Sequence, residues 1–103
     1  MPYNSQKKYV EINANLLLTI IRDNPKKTLL EIEIPLRKYK TFETMSLRMI
    51  RLYLNALEAT GHIKKIGVHS KSYKIIKSEE FTYPKGVNNF VRLSKTKKVE
   101  ALS

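Results

Sequence analysis

Leu47, Ile50, Leu54 and Leu57 recur at spacings of three, four and three, and only a helix returns side chains to one face at that interval. The spacing predicts a helix from Thr44 or Ser46 to Thr60, closed by Gly61, which can adopt the left-handed backbone that ends a helix. Two β-prone runs follow at once, His62-Ile-Lys-Lys-Ile-Gly67 and Ser72-Tyr-Lys-Ile-Ile-Lys77, separated by the polar Val68-His-Ser-Lys71. They predict a β-hairpin. A helix delivered by one glycine into a hairpin makes the chain α+β.

Upstream, Leu16, Leu17, Ile20 and Ile21 fall at helical spacing, with Asn13 as the expected cap and Asn24-Pro25 as the stop. Thr28-Leu-Leu-Glu31 has the form of a capping box and opens a second helix with Leu29, Ile32, Leu36 and Tyr39 on one face. Pro35 interrupts that face, and Leu30-Glu-Ile-Glu-Ile34 alternates as a strand would, so whether 28–39 is one continuous helix stays open. The expected architecture is a three-helix core followed by a hairpin, with a C-terminal extension.

With 103 residues there is material for one core. The expected divisions are a flexible N-terminal arm over 1–12, a domain over 13–77, an extension over 78–93 and a disordered basic tail over 94–103. Phe81, Tyr83, Val87, Phe90 and Val91 are too apolar for a tail, so the extension is expected to pack on the core or on a second copy of the chain.

Twenty Lys and Arg against nine Asp and Glu leave a formal charge of +11, a field that draws polyanions and above all nucleic acid. The chain has no Cys, so disulfides and thiolate metal sites are excluded. The longest dense apolar stretch, Leu16 to Ile21, is too short to span a bilayer, and no signal peptide is visible. The expected compartment is cytoplasmic, that of a host if the chain is a virus or plasmid product. The sole Asp is Asp23, and the close carboxylate pairs Glu31 with Glu33 and Glu79 with Glu80 have no histidine beside them. Neither catalysis, nor a metal site at His62 and His69, nor a cofactor or small-molecule ligand is expected.

The order of elements resembles the winged helix-turn-helix family over roughly Asn13 to Lys77, most specifically in the run from Ser46 to Gly67, where helix, glycine and strand follow directly. The resemblance implies a third helix in the major groove of duplex DNA and a hairpin wing on the flanking backbone or minor groove. The chain departs from the family at Lys40-Thr-Phe-Glu-Thr44, which lacks a turn glycine, and at Pro35. Size, absence of Cys and a Lys- and Ile-rich composition also resemble small winged-helix proteins of archaeal viruses and plasmids, a likeness that selects no residues.

On the third helix, Arg48, Arg51 and Asn55 lie away from the apolar stripe and supply the donors that read guanine and adenine edges, although a solvated helix face has the same composition. Thr41, Thr44 and Ser46 are candidates for phosphate contacts, with capping the alternative for Thr44 and Ser46. Lys64, Lys65, His69, Lys71 and Lys74 are candidates for backbone contacts, in a Lys64 to Lys77 stretch free of carboxylates. Lysines also guard exposed strands against pairing. The expected function is a sequence-specific DNA-binding regulator of transcription, with a homodimer as one option. The alternatives are a non-specific nucleic-acid coating, architectural or RNA-binding protein, and a winged module for protein assembly.

Overall fold

A computed structural model describes residues 3–68, 71–86 and 90–94, and with them an α+β fold. Four helices, α1 (Tyr3–Asp23), α2 (Leu29–Leu36), α3 (Lys40–Glu43) and α4 (Leu47–Ala59), precede two antiparallel strands, β1 (Ile63–Ile66) and β2 (Ser72–Ile75), and a short α5 (Phe90–Ser94). The register pairs Ile63 with Ile75, Lys64 with Lys74, Lys65 with Tyr73 and Ile66 with Ser72. Thr28, between α1 and α2, forms an isolated bridge to Ser72. The hairpin is thereby tied to the start of α2.

The apolar stripe of α4 is buried as its spacing requires, with Ile50, Leu54 and Leu57 fully enclosed. Ser46 caps the helix by accepting the Met49 N–H at 3.1 Å. At the other end Gly61 has φ 78°, and the amides of Gly61 and His62 bond back to the carbonyls of Glu58 and Leu57 at 3.0 and 2.9 Å. That pattern ends a helix and turns the chain sharply. It delivers residue 63 straight into β1.

Residues from Tyr3 onward are helical, which corrects the expected arm over 1–12 and the expected cap at Asn13. The polar first half of α1 is held by the chain's far end, where Glu11 accepts the Tyr83 N–H at 2.7 Å and the Lys7 ammonium lies 5.3 Å from the Tyr83 ring centroid. Asn13 sits mid-helix and buried, and its amide donates to the Tyr53 hydroxyl at 2.9 Å. Helix α1 does stop at Asp23, ahead of Asn24-Pro25.

In α2, Ile32 and Leu36 face the core while Leu30 and Ile34 stay exposed, which is why the segment alternates in sequence and still forms a helix. Pro35 falls in its last turn and does not break it. The 28–39 segment is nevertheless not one continuous helix, since α2 ends at Leu36 and α3 begins at Lys40. Glu31 accepts both the N–H and the hydroxyl of Thr28, the first at 2.9 Å, and these bonds hold its carboxyl below the usual range.

The C-terminal extension folds back onto the core, where Phe81 and Leu93 are fully buried. The Asn15 carboxamide takes both backbone groups of Phe81, accepting the N–H at 2.6 Å and donating to the carbonyl at 3.0 Å. Val87 and the expected tail from residue 95 lie outside the described residues. Asn15→Ala strips two part-buried backbone groups of their partner, so urea unfolding should show a loss of about 1–3 kcal/mol.

His62 is buried at the joint between α4 and β1, packed on the Phe81 ring with centroids 5.7 Å apart. The Glu80 carbonyl can only accept, so Nε2 carries the proton at 3.3 Å from it, and Nδ1 lies 2.7 Å from the Thr60 hydroxyl. Burial pushes the imidazole below its ordinary pKa, nearby Lys77 acts in the same direction, and the Glu80 bond and Glu79 oppose it. The unfolded chain therefore binds this proton first as the medium is acidified. Stability should be complete above roughly pH 6.5 and fall as the pH drops below it. Melting temperatures measured from pH 7.5 to 5 should show this slope in the native chain and lose most of it in His62→Gln.

Candidate nucleic-acid interface

Because one face of α4 fills the core, the opposite face is left to solvent, and Arg48, Arg51 and Asn55 recur along it at steps of three and four. Arg48 and Arg51 are exposed; Asn55 is half-buried. Neither arginine has a hydrogen-bond or ion-pair partner among the described residues. The structure thus brings the three together on one accessible stripe, with Glu58 at its C-terminal end.

Asn55 is not free. Its carbonyl oxygen accepts from the Lys65 ammonium at 2.9 Å, and the same ammonium lies 3.5 Å from the Glu58 carboxylate. One lone pair of the Asn55 oxygen is thereby engaged, and its two N–H donors are turned away from Lys65. This clamp between α4 and β1 was not legible in the sequence, where Lys65 reads as one more wing lysine.

Strand alternation divides the hairpin lysines. Ile63, Lys65, Tyr73 and Ile75 share the face turned to the helices, whereas Lys64 and Lys74 share the outer face. Lys64 and Lys74 are direct cross-strand neighbours and both exposed. Like charges placed so destabilise a hairpin. Lys71, also exposed, joins Arg51, Leu54, Asn55, Lys65 and Tyr73 around a concavity of about 250 Å³ between α4 and the hairpin. His69 lies outside the described residues.

Of the residues ahead of α4, Ser46 is engaged as its cap, Thr44 is exposed just after α3, and Thr41 is half-buried within α3. The turn that carries them is fastened by a residue sequence reasoning passed over. Arg37 pairs with Glu33 at 2.8 Å and donates to the carbonyls of Phe42 and Met45, so its guanidinium joins the end of α2 to the approach of α4. It does what a turn glycine does by other means: it fixes the path of a connection that has none.

No helix among the described residues is long and apolar enough to cross a membrane. Comparison with protein-family models, with curated proteins and with solved structures gives no match.

The Lys64 and Lys74 pair has a measurable cost. Replacing Lys74 with Thr should raise stability at low salt by a few tenths to about 1 kcal/mol, and the gain should shrink once ionic strength brings the screening length to roughly 8 Å. Urea titrations at two salt concentrations test it, and a gain independent of salt would show that β-propensity and not repulsion is responsible.

Proposed function

We propose that this chain is a winged-helix protein that binds double-stranded DNA in a sequence-specific manner and regulates transcription, with α4 in the major groove and the β1–β2 hairpin as a wing on the adjoining backbone. The observation that carries the reading is the solvent face of α4, which presents two arginines without an acidic partner on a helix whose other face is the core. A rigid helix so charged suits a groove lined with acceptors.

Two further features support it. The Thr28–Ser72 bridge, the Asn55–Lys65 bond and the Arg37 staple hold α2, α4 and the hairpin in one rigid arrangement, and preorganisation lowers the cost of docking on a duplex. The repulsion between Lys64 and Lys74 is a cost to the free protein that a phosphate lying between them relieves.

One observation favours the second reading, a non-specific coating or architectural protein. With one lone pair of the Asn55 oxygen taken by Lys65, only the other is left for the usual bidentate pair with adenine, and base reading rests more on the arginines. Selection of bound duplexes from a random pool, at stated salt, decides between the two, since a consensus emerges only under the first. On the selected site Arg48→Ala should lose about 1–3 kcal/mol of discrimination against the wrong base. Equal losses on selected and random duplex would make Arg48 a phosphate contact and turn the assignment to the second reading.

A further inference from the structure

The concavity between α4 and the hairpin differs from the open helix face in being ringed by donors. Arg51 and Lys71 stand at it without ion-pair partners among the described residues. The two N–H groups of Asn55 are left over once its oxygen is engaged by Lys65. Tyr73, only 8% exposed, lines the same space, and its hydroxyl has no hydrogen-bond partner among the described residues. The one carboxylate nearby, Glu58, is paired with Lys65.

Such a site has more free donors than acceptors and calls for a ligand rich in acceptors. Its volume of about 250 Å³ falls below the roughly 300–1,000 Å³ of pockets that enclose drug-sized ligands, and it leaves room for one phosphate group. Resting on the DNA-binding reading, we infer that this concavity seats a single backbone phosphate of the duplex, gripped from the helix by Arg51 and from the hairpin by Lys71, with the Tyr73 hydroxyl beneath. Arg51 then belongs to the backbone and Arg48 alone of the two arginines is left for base edges, which departs from the expectation that both read sequence. The seat also fixes register. A phosphate held from two elements at once admits one placement of α4 along the groove, whereas lysines on an outer strand face admit many.

Counting released counterions tests the shared grip, because each phosphate neutralised contributes about 0.9 to the slope of log affinity against log salt. Binding of one duplex is measured across a salt series for the native protein, Arg51→Gln, Lys71→Gln and the double variant; both residues are exposed, so these changes leave the core intact. If both residues hold one phosphate, the double variant loses about 0.9 from the slope, and if they hold two it loses about 1.8. The affinity losses of the single variants should likewise fail to add. Lys64→Gln, on the outer face, should lower the slope further in any background, and Tyr73→Phe should weaken binding severalfold with the slope unchanged. A double-variant loss near 1.8, or none, overturns the shared seat while leaving DNA binding standing; failure of the native protein to bind duplex at all overturns both.

Discussion

The buried hydrogen bond from Asn13 to Tyr53 is the contact on which the rest of the arrangement turns. Tyr53 is fully enclosed, and its ring meets Phe42 of α3 edge-on at 6.1 Å and Phe90 of α5 at 4.7 Å. Four helices therefore converge on one side chain. A polar pair in such a place adds little net energy but leaves an expensive orphan if either partner moves, so it discriminates between rotations of α4 that an all-apolar contact would tolerate. By setting which side of α4 faces inward, it sets which side is left to carry Arg48 and Arg51.

Four of the eight carboxylates among the described residues are engaged within the structure. Glu11 holds the Tyr83 backbone, Glu31 closes the start of α2, Glu33 pairs with Arg37 and Glu58 with Lys65. The solvent face of α4 and the outer face of the hairpin are left with cations.

What could be read from the sequence was what is local. The α4 stripe, its glycine stop and the hairpin runs each announce themselves within a turn or a strand, and the structure has them where the spacing puts them. The first half of α1 could not be read, because it is polar and is held from far along the chain, as Glu11 is by the Tyr83 N–H. No periodicity records such contacts. The same holds at the candidate interface, where alternation predicts that Lys64 and Lys65 point apart, but only the packing of the hairpin on α4 reveals that Lys65 is spent on Asn55 and Glu58. Arg37 was hidden for a similar reason, since its carbonyl partners belong to a turn whose path no propensity specifies.

Asn15 offers its side chain to Phe81 as though it were a neighbouring strand, and this has a bearing on how the chain comes to be made. During synthesis α1 leaves the ribosome well before the segment that covers it. Until that segment emerges, the side of α1 destined for Phe81 stays bare, as does the Asn15 amide. The growing chain can assemble α2 to the hairpin on α1 beforehand, but closure waits on Phe81, and in that interval the uncovered helix is a surface open to capture by a chaperone or by another unfinished copy.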